Sequence, residues 1–279
     1  MLQGFSKKTC EIQGKEIRYY QSGSTGPQIL LLHGMMIDSA KISWSEVAPV
    51  LARTMQVTVV DLPGFGASEA PRGSVSIAYY SNFLKKFIET IGIPRLRLAG
   101  IGIGATIAAD FALLNPQVVE HLYLLASGGY HDFKSIKKLQ FFTTRMPGVS
   151  TFWMNLLGKN QKIFKTALRT MFFNHDNISD ELVKTMVQEF KNRDNLQTYT
   201  ALSKNEFSLE GRKTFLPEVI AQLKVPLTII HGQYDLISPP VYVQEAIQST
   251  PNTDFRIIPK CGHWITLDKP EIAAAFLRQ

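Results

Sequence analysis

Leu96-Arg97-Leu98-Ala99-Gly100-Ile101-Gly102-Ile103-Gly104-Ala105-Thr106-Ile107 is the stretch on which the fold turns. A short apolar run from Leu96 to Ala99 meets Gly100, passes through two further glycines, and enters a helical pattern over Ile103 to Leu114. An apolar run without polar alternation suits a parallel strand covered on both faces. Outward from this point the same signal recurs. Ile29–Leu32 ends at His33-Gly34, and Val57–Val60 at Asp61-Leu62-Pro63-Gly64. Leu122–Leu125 ends at Ser127-Gly128-Gly129, Leu227–Ile230 at His231-Gly232, and Phe255–Ile258 stops before Gly262. Helical patterns such as Ile77 to Ile91 lie between them. Alternating strands and helices imply an α/β protein with a doubly wound, mostly parallel sheet.

The composition agrees with one large domain or a core carrying an insertion. Over 279 residues the chain is 45% hydrophobic, 10% aromatic and 19% charged, which excludes a disordered or collagen-like chain. No stretch approaches the roughly 18 consecutive apolar residues of a transmembrane helix, so no transmembrane segment is expected. The start, Met1 to Lys8, lacks the apolar run of a signal peptide. Cys10 and Cys261 cannot form a disulfide framework and have no metal-ligand spacing. The expectation is a cytoplasmic protein with no metal and no cofactor; its oligomeric state is not legible.

The net charge of +7 is unevenly spread. Residues 131–214 hold 14 Lys+Arg against 8 Asp+Glu, while the other residues hold 16 against 15. The same segment shows helical spacing in Ile163, Phe164, Ala167, Leu168, Met171 and Phe172. It recurs in Leu182, Val183, Met186, Val187 and Phe190 behind a Ser179 N-cap. The expected organisation is a core of residues 1–130 and 215–279, with a helical cap of residues 131–214 inserted after the Leu122–Leu125 strand.

Open α/β sheets place ligands on the loops at the carboxyl ends of their strands. Those loops read His33-Gly34-Met35-Met36, Asp61 to Ser68, Gly100 to Gly104, Gly232 to Pro240 and Cys261-Gly262-His263-Trp264. With these five motifs in this order across residues 28 to 264, the sequence resembles the capped, single-domain members of the α/β-hydrolase superfamily. The resemblance implies that His263 is the general base and Asp235 the acid that orients it, in the family order of nucleophile, acid, His. An oxyanion hole would use the backbone N–H groups of Ile103 and Met35. Capped members act on esters, C–C bonds beside a carbonyl, epoxides, haloalkanes and peptides; the first two are preferred here.

The departure is at the nucleophile. Where the family pattern is G-x-S-x-G, this chain reads Gly100-Ile101-Gly102-Ile103-Gly104. Gly102 has no side chain with which to attack a carbonyl, and loss of a triad nucleophile costs on the order of a million-fold in turnover. Three explanations stand: a serine hydrolase whose nucleophile was replaced, a non-hydrolytic member using His263–Asp235 as an acid–base dyad, and a ligand-binding pseudoenzyme. A different class is also conceivable, because Gly100 to Ala105 satisfies the dinucleotide fingerprint G-x-G-x-x-A. The following strand, however, ends in Ala126-Ser127 where an acid for the ribose is wanted, and two strands precede the motif.

Other residues have plainer readings. His33 and Asp61 are expected to brace their loops by hydrogen bonds. Cys261 is expected to be a buried, inert thiol. Thr106, one helical turn past Gly102, is expected to face away from the site. Trp264, Met35, Met36 and Trp153 are candidate pocket-lining residues, and Ser127 is a further one. The expected partner is a small hydrophobic substrate, with an anionic one as a weaker option drawn from the basic cap. Nucleic acid is not expected, because the basic residues are interspersed with acids and form no stripe.

Overall fold

The computed structural model describes residues 2–131, 145, 158, 160–208, 211–248, 250 and 253–279. All six strands expected from the sequence are present, extended at their ends. They are β3 (Gln28–Leu32), β4 (Gln56–Val60), β5 (Leu96–Ile101), β6 (Val119–Leu125), β7 (Leu227–Gly232) and β8 (Thr253–Ile258). Two strands that the sequence reading missed precede them, β1 (Ser6–Glu11) and β2 (Glu16–Ser22). They form a hairpin around Gln13-Gly14, both at positive φ, with Ile12 and Lys15 exchanging hydrogen bonds of 2.9 and 3.1 Å. Nearly all of β1 is exposed, so it lacks the apolar run that marks the inner strands.

The eight strands form one sheet in the order β1-β2-β4-β3-β5-β6-β7-β8. β3 to β8 are parallel, and β1 and β2 are antiparallel to their neighbours. Successive side chains point to opposite faces. Leu30, Leu32, Leu98 and Leu124 pack on one face against helices Ile77–Thr90 and Ile103–Leu114. Leu31, Val59, Ala99 and Tyr123 pack on the other against helices Val47–Leu51 and Pro270–Leu277. Because β3 lies between β4 and β5, the chain reverses its direction across the sheet there. Loops leaving β3 and β5 therefore diverge at a switch point, where such sheets hold ligands.

Three helices of eight or more residues lie between β6 and β7 among the described residues: Gln161–Leu168, Asp180–Lys191 and Arg193–Glu206. Asn160 caps the first, and Ser179 Oγ accepts from Leu182 N–H at 3.1 Å to cap the second, as its position in the sequence implies. Phe164, Leu168, Val183, Met186, Val187 and Phe190 are buried and join the sheet's core, whereas Ile163 is exposed. No helix among the described residues is long and apolar enough to cross a membrane.

Candidate active site

Gly102 sits at the turn between β5 and helix Ile103–Leu114 with φ +59° and ψ −122°. The three glycines of this turn are held by different demands. A β-carbon on Gly100 would lie 2.3 Å from the Gly104 carbonyl oxygen, and one on Gly104 would lie 2.4 Å from the His33 carbonyl oxygen. Glycine at 100 lets the strand meet the start of the helix, and glycine at 104 lets the turn press against the end of β3. A β-carbon on Gly102 would meet nothing within 4 Å. Packing does not require glycine there; the positive φ alone favours it.

The neighbouring loop after β3 is pinned by Asp38, a residue the sequence reading passed over. Its buried carboxylate accepts from Gly34 N–H at 2.6 Å, Ser39 N–H at 2.8 Å, Ser43 N–H at 3.1 Å and the Ser43 hydroxyl at 2.5 Å. Burial pushes its carboxyl up to about 7 against these hydrogen bonds. The Gly34 N–H is thus occupied, and the next two residues, Met35 and Met36, the latter at φ +71°, line the cavity. Ile103 is the first residue of its helix, where the N–H has no intrahelical acceptor. His33 is buried and braces the loop as expected. Its Nε2 accepts from Leu62 N–H at 3.0 Å while Nδ1 donates to the Gly34 carbonyl at 2.5 Å, and burial pulls its pKa down to about 4. Asp61 likewise accepts from Ala40 N–H and Ala67 N–H, and its carboxylate fills the space beside Gly66.

Across the cavity, His263 Nδ1 lies 2.8 Å from Asp235 Oδ2. A carboxylate accepts, so Nδ1 is the donor of this pair, and in a neutral imidazole so held Nε2 is the ring nitrogen with the lone pair. The Asp235 carboxylate is buried and is itself fixed by Ile237 N–H at 2.9 Å and Ser238 N–H at 2.8 Å. Behind it stands a second, fully buried imidazole, His231, whose pKa burial pulls down to about 4. Its Nδ1 is 3.3 Å from the Ser238 carbonyl and its Nε2 is 3.5 Å from Ser127 Oγ. Ser127 is fully buried, with its hydroxyl 2.7 Å from the Tyr130 hydroxyl. The expectation that Ser127 lines the pocket is thereby corrected: its side chain is turned into the wall behind the cavity, between Tyr130 and His231.

A cavity of about 400 Å³ joins these pieces. Gly102, Ile103, Met35, Met36, His263 and Trp264 all line it. Trp153 lies outside the described residues. Thr106 also borders the cavity, correcting the expectation that it faces away; its buried hydroxyl has no hydrogen-bond partner among the described residues. Cys261 is fully buried, and burial pushes its thiol up, as an inert role requires. Asp268 is the second acid the sequence reading missed. Its carboxylate accepts from Gly262 N–H at 2.8 Å, Phe173 N–H at 2.8 Å, Asn174 N–H at 3.0 Å and Asn177 Nδ2 at 3.2 Å. With Trp264 N–H donating to the Met171 carbonyl at 3.0 Å, it ties the loop bearing His263 to residues 171–177. Its position five residues past His263, directly after the mostly apolar Trp264-Ile265-Thr266-Leu267, was the available signal.

The chain is similar to known proteins over most of its length. A protein of Mycobacterium tuberculosis with no characterised function is 26% identical over 91% of this chain and 74% of its own length. The 2-hydroxy-6-oxo-6-(2'-aminophenyl)hexa-2,4-dienoic acid hydrolase of Metapseudomonas resinovorans is 23% identical over 92% of this chain and 84% of its own. The crystal structure of the 2-hydroxy-6-oxo-6-phenylhexa-2,4-dienoate hydrolase of Rhodococcus sp. strain RHA1 superposes with a TM-score of 0.80 at 17% identity, covering 98% of this chain and 97% of that one. The α/β-hydrolase fold model matches residues 27–270, and the chain belongs to that family.

Proposed function

We propose that this chain carries the site of a serine-type hydrolase for a carboxylic ester or a C–C bond next to a carbonyl, with Gly102 standing at the nucleophile position. In this reading a hydroxyl at position 102 would be deprotonated by His263 Nε2, and Asp235 would stabilise the resulting imidazolium. The N–H groups of Ile103 and Met35 would bind the oxyanion. Without that hydroxyl the chain as it stands has no acyl transfer of consequence. The observation that carries the reading is the open space at Gly102, whose absent β-carbon would meet nothing within 4 Å although both flanking glycines are closely packed. Residues 131–214 would act as the lid over the cavity and set the choice of a hydrophobic substrate. The dienoic acid hydrolase among the relatives supports the C–C alternative.

One observation favours a second reading. The 2.8 Å contact between His263 and Asp235 is complete without any nucleophile, so the pair could serve as an acid–base dyad for proton abstraction. Assaying the native chain and Gly102→Ser on short p-nitrophenyl esters and on a 2-hydroxy-6-oxodienoate separates the two. Hydrolysis gained by at least a thousand-fold in Gly102→Ser, and lost again with His263→Ala, supports the hydrolase site. Equal inertness of both forms on all these substrates refutes it, and His263-dependent turnover by the native chain turns the assignment to the dyad.

A further inference from the structure

Arg212 is a cation on the cavity wall with no carboxylate within 4.0 Å among the described residues. It pairs with Phe207 as an isolated antiparallel bridge, and its guanidinium lies 5.1 Å over the Phe207 ring. It runs along Gly128-Gly129, where a β-carbon on Gly129 would come within 2.8 Å of Nη1 and one on Gly128 within 3.5 Å. The two glycines after β6 thus leave a slot that the guanidinium occupies. Arg212, Gly128, Gly129 and Phe207 line the same cavity as Gly102 and His263. Among the described residues no carboxylate lies within 4.0 Å of the guanidinium and none of its N–H groups makes a hydrogen bond. Glu206, also on the cavity wall, acts on it from a longer distance, its own Oε1 accepting from Ile77 N–H at 3.5 Å.

Arg212 is only partly buried on the cavity wall, and no described carboxylate contacts its guanidinium, so an entering anion can pair with it without displacing one. A planar guanidinium presents paired donors that match a carboxylate. We propose that Arg212 is the anion-binding group of this cavity, and that the ligand it takes is an apolar molecule ending in a carboxylate. The inference rests on reading the cavity as the substrate site but not on hydrolytic chemistry, so it is tested by binding to the native Gly102 chain, which cannot consume a probe by acyl transfer. Glu206 opposes the anion and sets how tightly it is held.

The test is calorimetric titration near pH 7.5 with 4-phenylbutanoate and with its neutral isostere 4-phenylbutanamide. The native chain should bind the carboxylate at least tenfold more tightly than the amide. Arg212→Met should abolish that preference while leaving amide affinity within about twofold, which also reports a folded cavity. Glu206→Gln, which keeps Arg212, should widen the preference. Equal affinities in the native chain, an unchanged ratio in Arg212→Met or Glu206→Gln, or no binding of either probe would overturn the inference. Should Arg212→Met not fold, the native and Glu206→Gln ratios decide alone. Failure of the hydrolase reading shows elsewhere, in the Gly102→Ser assays, and leaves these ratios untouched.

Discussion

Replacing each glycine of the turn in separate variants, Gly100→Ala, Gly102→Ala and Gly104→Ala, asks whether position 102 is as open as its surroundings indicate. In Gly104→Ala the new methyl would lie 2.4 Å from the His33 carbonyl oxygen and 2.9 Å from that of Leu32. Both are backbone atoms at the end of the central strand β3, so relief requires moving the strand or the turn. Overpacking of this kind costs about 1–3 kcal/mol, and the upper end applies where backbone must yield. Gly100→Ala meets the Gly104 carbonyl at 2.3 Å and falls in the same class. For Gly102→Ala no atom stands within 4 Å, so only the φ of +59° counts against it. That strain is about 1–2 kcal/mol, offset by about 0.4–1 kcal/mol of lost freedom in the unfolded chain. The net is a loss of about 1 kcal/mol. Urea unfolding followed by circular dichroism should place Gly102→Ala about 2 kcal/mol above the other two at constant m-value. If Gly102→Ala is destabilised as much as Gly104→Ala, the turn has no room for a side chain and the vacant-nucleophile reasoning fails.

Further predictions follow from the same contacts. In a Gly102→Ser background, Asp235→Asn should lower kcat by about 10³–10⁴-fold on a p-nitrophenyl ester, because Nδ1 of His263 would lose its acceptor; a loss under tenfold would remove Asp235 from its role. Asp268→Asn weakens the carboxylate's bonds to Gly262, Phe173 and Asn174 and should cost about 2–3 kcal/mol in urea unfolding, with amide exchange accelerating at 171–177 and 262–264 together. Acid should bear on the buried imidazoles: His33 and His231 sit near 4 when folded against 6.5 when free, so both states are neutral above 6.5. As pH falls from 6.5 towards 4 the unfolded chain takes protons that the folded one refuses, and stability drops by about 2 kcal/mol per imidazole at pH 5. Asp38, raised to about 7, works in the opposite sense, its cost growing as pH rises from 3.8 to 7. His231→Gln should therefore shrink the stability lost between pH 7 and 5 by about 2 kcal/mol, and an unchanged loss would show that His231 is not held neutral.

Strands β3 to β7 were legible because they lie inside the sheet, are buried along most of their length, and so read as short, largely apolar runs ending in a loop with glycine. The β1–β2 hairpin was not, since a solvated edge carries no such run. His263 and Asp235 were legible from their loops and order, and the structure joins them at 2.8 Å. Asp38, Asp268 and Arg212 escaped because their importance lies in which distant N–H groups and glycines they meet, a matter of tertiary packing. Ser127 misled for the same reason: a hydroxyl on a site loop reads alike whether it faces the cavity or, as here, Tyr130 and His231. Thr106 erred in reverse, its place on the cavity being set by how helix Ile103–Leu114 leaves the turn.

The central claim is that only the nucleophile's side chain is missing from an otherwise assembled site. Intact-mass analysis after brief exposure to a fluorophosphonate tests it most directly. Gly102→Ser should gain one phosphonyl group, mapped by peptide sequencing to position 102, at a rate that falls at least a hundred-fold with His263→Ala, while the native chain stays unmodified. A Gly102→Ser variant that is folded yet unlabelled, or labelled equally with and without His263, would contradict the account.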